Sequence, residues 1–207
     1  MTSFYDRHVM PRLIGCACAS KPIMRQRAKV VPLASGRVLE LGVGGGLNLA
    51  FYDPGKVTEL FGVDPSDELR DRALAAPRPD GLKVDIAAGT AEALPFEDGS
   101  FDTVVCTFTL CSVQSQAAAI AEARRVLKPQ GRFLFCEHGL APDVGVAKWQ
   151  SRIEPVWKAI AGGCHLTRPI GGAIEAGGFQ LDSWSSMFLP STPRIFGWSE
   201  WGVGVKG

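Results

Sequence analysis

The chain has 207 residues, of which 46% are apolar and 21% charged, with 24 glycines and 14 prolines. This composition excludes a disordered, fibrous or coiled-coil protein and supports one well-buried core. The formal net charge is only +1, so the chain has no excess of basic residues that would attract nucleic acid or a membrane surface. We expect a small-molecule partner, no nucleic acid, no transmembrane segment and a cytoplasmic location, because neither a signal peptide nor an unbroken apolar span is visible.

Short apolar runs alternate with helical patterns along the chain, which indicates a parallel α/β sheet. The predicted helices cover residues 22–33, 66–75, 115–127 and 146–161. The predicted strands cover residues 37–41, 60–64, 84–88, 101–108 and 132–138, with weaker patterns at 179–184 and 196–205. The predicted fold class is therefore α/β, a doubly wound, mostly parallel seven-stranded sheet of Rossmann type with helices on both faces.

We expect residues 1–207 to form a single domain, because no linker or composition shift divides the chain. Its predicted parts are N-terminal cap or lid helices (1–34), a cofactor-binding core (35–138), a substrate-side insertion (139–178) and closing strands (179–207). The apolar residues ahead of the sheet predict either a lid over the site or a plain packing helix. These residues are Phe4, Tyr5, Val9, Leu13 and Ile14.

The glycine-rich end of the first predicted strand is the most informative segment. An apolar run leads directly into Gly42, Gly44 and Gly46, where a backbone without Cβ atoms can approach a ligand closely. The second predicted strand ends at Asp64, in the place where an open α/β sheet sets an acid against ribose hydroxyls. Together these features predict a nucleoside pocket.

The residues around this loop narrow the choice of nucleoside. A dinucleotide fingerprint G-x-G-x-x-G needs glycine where this chain has Leu47 or Leu49, and no G-x-x-x-x-G-K-[ST] loop for a triphosphate is present. Glu40 stands two residues before Gly42, and its carboxylate repels a pyrophosphate but suits a cationic ammonium group. The pattern therefore disfavours both nicotinamide dinucleotides and nucleoside triphosphates.

Five segments between residues 33 and 137 occur in a familiar order. They are Glu40-Leu-Gly42-Val-Gly44-Gly-Gly46, Gly62-Val-Asp64-Pro-Ser66, residues 89–96, residues 101–105 and residues 124–131. In this order they resemble the motifs of the class I S-adenosylmethionine-dependent methyltransferases. The resemblance implies S-adenosylmethionine as cofactor and S-adenosylhomocysteine as product.

The same resemblance implies a role for each matching residue. Glu40 and the glycine loop are implied to hold the methionine end, Asp64 the ribose, and Thr90 with Ala91 the adenine edge. Many relatives carry aspartate where this chain has Thr90. The implied cofactor-binding residues are Glu40, Gly42, Gly44, Gly46, Asp64, Pro65, Thr90, Ala91 and Thr107.

Residues 127–168, which include Cys136-Glu-His138, are similar to a type 11 methyltransferase subfamily that methylates alkyl thiols. This likeness implies a small apolar thiol as the methyl acceptor, with a lipid amine or a quinone as the alternative. Two readings from other classes stay open at this point: an NAD-dependent oxidoreductase and a non-catalytic S-adenosylmethionine-binding module. Membrane-bound relatives begin with a hydrophobic anchor helix that this sequence does not show, which is consistent with the expected cytoplasmic location.

The acceptor side is predicted from the residues that follow the later strands. His138 ends the fifth predicted strand and is predicted to be a catalytic base, with a hydrogen-bonded structural histidine as the alternative. The candidate substrate-pocket residues are Cys111, Trp149, His165 and Arg168, for which packing roles are the alternative. The six cysteines and three histidines show no C-x-x-C or H-x-x-x-H spacing, so we expect reduced thiols and no metal.

Overall fold

The computed structural model describes residues 18–207. The candidate lid residues Phe4, Tyr5, Val9, Leu13 and Ile14 lie outside these residues. Within the described range, no helix combines the length and the apolar character needed to cross a membrane.

One mixed sheet forms the centre of the described chain. Its strands are β1 (Gly36–Leu41), β2 (Val57–Asp64), β3 (Val84–Ala88), β4 (Phe101–Thr107), β5 (Leu127–His138), β6 (Phe179–Phe188) and β7 (Trp198–Lys206). They lie in the order β3-β2-β1-β4-β5-β7-β6. The first five strands pair in parallel, and β7 runs antiparallel to both β5 and β6. The predicted doubly wound, mostly parallel sheet is confirmed.

Helices connect these strands. They are α1 (Lys21–Val30), α2 (Asp67–Ala75), α3 (Gln116–Val126), α4 (Val144–Ile160), α5 (Ile170–Ala176) and α6 (Arg194–Gly197). The Ser66 and Ser115 side chains cap α2 and α3 by accepting backbone N–H groups, as Asp143 does for α4. Helix α5 was not predicted from the sequence, because it is short and contains two adjacent glycines.

The two faces of the sheet are both covered, which explains the nearly continuous apolar runs of its central strands. Leu39 and Leu41 pack into a cluster with α3 and α5, whereas Val38 points to the opposite face and packs with α1. Cys106 and Cys136 are fully buried in these two clusters, in agreement with their expected core role.

The fifth strand differs from its predicted start. Residues 128–131, expected to form a turn, belong to β5, which begins at Leu127 directly after α3. Gln130 adopts a positive φ of 61°, and the pairing of β4 with β5 shifts register between Phe101 and Thr103. The segment expected to form a turn is therefore a local irregularity within the strand.

The strands β1, β2, β3, β4 and β5 are parallel and end at the same side of the sheet, which we call the carboxyl edge. Ligands of open α/β sheets bind outside the carboxyl ends of the strands, where the strand order reverses. Here the order reverses at β1, which lies between β2 and β4. The candidate site is therefore expected beyond the end of β1.

Candidate functional site

The loop after β1 is built around three glycines with positive φ angles: Gly42, Gly44 and Gly46. At Gly46 an added Cβ atom would lie 2.8 Å from the Cβ atom of Ala76, so this position is closed by packing against the end of α2. At Gly44, with φ of 55°, the nearest atom would be the Gly42 carbonyl oxygen at 3.9 Å. The backbone of Gly44 therefore borders free space, as a cradle for a ligand requires.

Asp64 at the end of β2 joins this loop to the next one. Its Oδ2 atom accepts a hydrogen bond from the Gly44 N–H at 2.9 Å, and its Oδ1 atom accepts one from the Ser66 N–H at 2.9 Å. Burial raises the pKa of the Asp64 carboxyl above its usual range, although both hydrogen bonds oppose that rise. Pro65, the next predicted residue, is exposed. The carboxylate is thus held in a fixed orientation beside the open space at Gly44.

A buried polar network lies behind the glycine loop. The Glu40 carboxylate accepts hydrogen bonds from Asn48 Nδ2 at 2.9 Å and from the Tyr52 hydroxyl at 2.7 Å. Thr107 Oγ1 accepts from Asn48 Nδ2 at 2.8 Å and from Arg27 Nη1 at 2.6 Å. Burial raises the pKa of Glu40 to about 7, against the hydrogen bonds and the Arg27 charge that lower it. Burial therefore moves the titration of Glu40 towards neutral pH.

Two members of this network, Glu40 and Thr107, are candidates from the sequence, and the other three are not. Arg27 lies on α1 and reaches the site from outside the methyltransferase-like segments. Its guanidinium carbon lies 5.0 Å from the centre of the Phe108 ring. Asn48 and Tyr52 follow the glycine loop, but nothing in their local pattern marks them as partners of a buried acid.

The segment after β3 contains the two residues implied for the adenine edge. Thr90 is exposed and Ala91 is 5% exposed. The next residue, Glu92, accepts the Gln114 N–H at 2.7 Å. This contact ties the segment to the loop after β4, so both loops border the carboxyl edge.

Glu137 organises the loop after β4, a role that the sequence analysis did not assign. It is fully buried, and its carboxylate accepts N–H groups from Thr109 at 2.8 Å, Leu110 at 3.0 Å and Cys111 at 3.4 Å. Burial raises the pKa of Glu137, and these hydrogen bonds act in the opposite direction. The sequence does carry a signal for this role of Glu137, because an acid follows the apolar run Phe133-Leu-Phe-Cys136.

Two cysteines and a histidine meet at the carboxyl edge and form what we call the Cys–His cluster: Cys111, His138 and Cys164. One sulfur or ring-nitrogen atom from each residue lies within 4.8 Å of those of the other two. His138 Nε2 lies 3.0 Å from Cys164 Sγ. Cys111 is buried, whereas His138 and Cys164 are half-buried.

The cluster has an unusual electrostatic character. The neighbouring Cys111 thiol, followed by the contact with His138, lowers the pKa of Cys164 well below the usual thiol range. Burial by itself lowers the pKa of His138, but pairing with Cys164 and the nearby Glu137 carboxylate raise it overall. The contact between the two side chains therefore favours the charged form of each. His138, the predicted base, is therefore already engaged by a side chain of the protein.

The other predicted pocket residues take different positions. His165 Nδ1 lies 3.1 Å from Glu154 Oε1, and Arg168 donates to the Leu110 and Val113 carbonyl oxygens. Both side chains thus brace loops at the carboxyl edge. Trp149 is 56% exposed and lies outside the cluster, because α4 turns the neighbouring Gln150 inward instead.

Two residues beside the site were not assigned a role from the sequence. Cys164 lies in a loop that follows α4, and only the folded chain brings it to His138. The indole Nε1 atom of Trp157 is buried and has no hydrogen-bond partner among residues 18–207, and the nearby indole helps to lower the pKa of Cys164. The five described cysteines, Cys18, Cys106, Cys111, Cys136 and Cys164, are free thiols.

Comparison with known proteins identifies the family and the fold of this chain. Residues 39–135 match a family described as a methyltransferase domain. The chain is 41% identical over 170 residues to thiol S-methyltransferase TMT1B of Rattus norvegicus, covering 77% of this chain and 68% of the rat protein. It is 38% identical over 173 residues to the Homo sapiens protein of the same name, covering 79% and 71% of the two chains. The solved structure of YcgJ from Bacillus subtilis shares the fold, with a TM-score of 0.68, 22% identity, and 88% and 98% coverage.

Proposed function

The chain belongs to the class I S-adenosylmethionine-dependent methyltransferases, and from this premise we propose that it methylates a small thiol. S-adenosylmethionine is the cofactor and S-adenosylhomocysteine the product. The family assignment removes the alternatives of an NAD-dependent oxidoreductase and a non-catalytic module. The observation that carries the thiol proposal is the Cys–His cluster, which places soft sulfur and imidazole groups at the carboxyl edge.

The residues at the end of β1 and β2 fit the cofactor. The open space at Gly44 gives room for a ligand against bare backbone, and Asp64 holds a carboxylate beside it, suited to a pair of ribose hydroxyls. The buried Glu40 carboxylate suits the ammonium group of the methionine end. When bound, the cofactor supplies a methyl group that is already activated by its sulfonium.

The work left to the protein is mainly the positioning of the acceptor. A thiol with a pKa of about 8.5 is roughly 3% ionised at pH 7, so complete ionisation contributes only about 2 kcal/mol. Correct alignment of two reactants contributes about 7 to 11 kcal/mol. The Glu137 and Arg168 contacts that fix the loop after β4 fit this requirement, because they hold Cys111 and its neighbours in place. In this proposal His138 assists ionisation and its role is secondary.

A screen of acceptors tests the proposed function. Purified protein is incubated with a tritium-labelled methyl donor and matched thiols, phenols, amines and a reduced quinone, and the extracted products are counted. We expect turnover of apolar thiols above all other classes. Turnover of amines or quinones without turnover of thiols would contradict the thiol proposal and favour the lipid amine or quinone alternative.

Replacement of Asp64 by alanine tests the proposed ribose contact. Hydrogen bonds to a charged group contribute about 1.5 to 3 kcal/mol, so we expect affinity for S-adenosylhomocysteine to fall about 10- to 100-fold. Isothermal titration calorimetry measures the loss. Asp53→Ala is a matched control, because Asp53 also accepts a backbone N–H, that of Gly55 at 2.9 Å, but on another loop. Equal affinity in folded Asp64→Ala and wild-type protein would refute the contact.

The pH dependence of binding tests Glu40. Its pKa of about 7 means that lowering the pH adds a proton and removes the negative charge that would attract an ammonium group. We therefore expect cofactor affinity to decrease between about pH 7.5 and about pH 6, with a limit of about tenfold per pH unit. Calorimetry across this range measures the slope. The Glu40→Gln variant should bind the cofactor more weakly than wild type at about pH 7.5, and its affinity should depend less on pH. If the substitution leaves the pH dependence of affinity unchanged, a group other than Glu40 causes that dependence.

A further inference from the structure

The Cys–His cluster presents a set of donor atoms that the methyltransferase fold does not require. Its ligand atoms come from three separate segments: the loop after β4, the end of β5 and the loop after α4. Two sulfurs and one imidazole nitrogen form a donor set that prefers tetrahedral Zn²⁺. Zinc–sulfur bonds of about 2.3 Å and zinc–nitrogen bonds of about 2.0 Å place the ligand atoms of such a site roughly 3.5 to 3.8 Å apart. The cluster, with its atoms within 4.8 Å of one another, is already close to that spacing.

The surroundings hold the three donors together. The His165 N–H donates to the Cys111 carbonyl oxygen at 2.8 Å, which fastens the loop of Cys164 to the loop of Cys111. The Cys111 N–H in turn donates to Glu137, the neighbour of His138 in β5. Each donor thus lies on a backbone fixed to that of another, as a preorganised metal site requires. Glu137 itself is not a candidate ligand, because its oxygens accept three backbone N–H groups.

We propose that Cys111, His138 and Cys164 bind one Zn²⁺ ion and leave its fourth coordination position open to the sulfur atom of the acceptor. Three protein ligands and one exchangeable position are the arrangement of catalytic rather than structural zinc sites. His138 is half-buried, which leaves its side of the cluster accessible. No metal was expected from the sequence, because no local spacing marks these residues, which are joined only by the fold.

The open position would select the acceptor, and this part of the inference rests on the proposed thiol methylation. When a thiol enters, a zinc–sulfur bond forms, the zinc–oxygen bond of a displaced water breaks, and the thiol proton passes to solvent. No group is oxidised or reduced in this exchange. The metal favours the thiolate form of its ligand, so it takes over the ionisation for which His138, here a ligand, would otherwise serve as the base. The metal also fixes the sulfur at one point. Phenols and amines gain less from a site with two thiolate ligands, since they are harder donors.

Cobalt titration tests the metal site without any enzyme turnover. The protein is purified under reducing conditions, stripped with a chelator and titrated with Co²⁺. We expect one equivalent to bind, with a thiolate-to-cobalt charge-transfer band, visible bands of tetrahedral intensity and displacement by Zn²⁺. The substitutions Cys111→Ser, Cys164→Ser and His138→Ala should each weaken binding at least about tenfold. Cys136→Ser is the matched control, because Cys136 is a buried thiol of the same strand as His138 but lies outside the cluster.

A wild-type protein without the charge-transfer band, or equal cobalt affinity in the cluster variants and the Cys136→Ser control, would overturn the metal site. Circular dichroism confirms folding of each variant, and the wild-type spectrum decides the question even if a variant does not fold. Isolation of a Cys111–Cys164 disulfide from protein that binds no cobalt after reduction would also overturn it.

A second measurement separates this inference from the proposed function. Addition of an apolar thiol to the cobalt protein, without cofactor, should shift the visible bands, whereas the matching alcohol should not. No shift would overturn the open position. Full-rate thiol methylation by metal-free protein would overturn the role of the metal and leave thiol methylation standing. Metal binding without turnover of any thiol would overturn the proposed function and leave the metal site standing.

Discussion

Replacement of Gly44 by valine is expected to abolish cofactor binding, with a loss of more than about 100-fold in affinity. The nearest atom to an added Cβ at this position is 3.9 Å away, so the new Cβ clashes with no protein atom and the side chain extends into the space proposed for the ligand. The positive φ of 55° adds strain of about 1 to 2 kcal/mol, which a chain of this size tolerates. Calorimetry with S-adenosylhomocysteine measures the affinity, and a thermal melt verifies the fold.

Gly99→Val separates steric exclusion from backbone strain. Gly99 has a similar φ of 63°, and an added Cβ there also meets nothing within 4 Å. It precedes β4 and therefore lies at the opposite edge of the sheet from the glycine loop. The two variants should lose comparable stability, while only Gly44→Val loses the cofactor. If Gly44→Val bound S-adenosylhomocysteine within about tenfold of wild type, the loop would not touch the cofactor.

Replacement of Glu137 by alanine is expected to lower the free energy of unfolding by about 3 to 5 kcal/mol. The substitution leaves the N–H groups of Thr109, Leu110 and Cys111 without their acceptor in a buried place. Each unpaired buried donor costs about 1 to 3 kcal/mol, and the vacated volume adds to the loss. Urea denaturation measures the free energy.

Glu92→Ala is the comparison for this result. Glu92 also accepts backbone N–H groups, those of Gln114 and Ser115, but at an exposed site, where water replaces the carboxylate. We expect it to cost less than about 1 kcal/mol. Glu137→Gln should fall between the two, because one amide oxygen remains as an acceptor while the amide nitrogen faces a donor. A Glu137→Ala variant as stable as Glu92→Ala would show that the hydrogen bonds to Glu137 contribute nothing to stability.

The sheet could be predicted because its signal is local. Each central strand is buried on both faces and appears in the sequence as a short apolar run, so all seven strands were located, with shifted ends. The start of β5 was placed late because residues 128–131 look like a turn when read alone. The short helix α5 was not predicted, because its stability comes from packing against the sheet and not from the helix propensity of its residues.

The residues of the candidate site differ in the same way, since some carry a local sequence signal and others do not. Gly44 and Asp64 carry their signal in the spacing between a strand and the loop after it, and the structure joins them by a hydrogen bond. Arg27 reaches Thr107 across 80 positions in the chain, and Cys164 reaches His138 across 26. No periodicity or short motif encodes such pairs, because they depend on how α1 and the loop after α4 pack on the sheet. Trp149 was a candidate pocket residue, but the sequence of a helix alone cannot fix the direction that one of its side chains faces.

The position of β7 has a consequence for synthesis of the protein. This strand, the last in the described chain, fills the gap between β5 and β6 and pairs with both. A ribosome completes β5 well before it produces β7, so the growing chain carries a row of unpaired N–H and C=O groups next to Phe133 and Phe135. Unpaired strand edges of this kind recruit other chains. A product truncated before β7 is therefore expected to aggregate, and the nascent chain is exposed to the same association until β7 emerges.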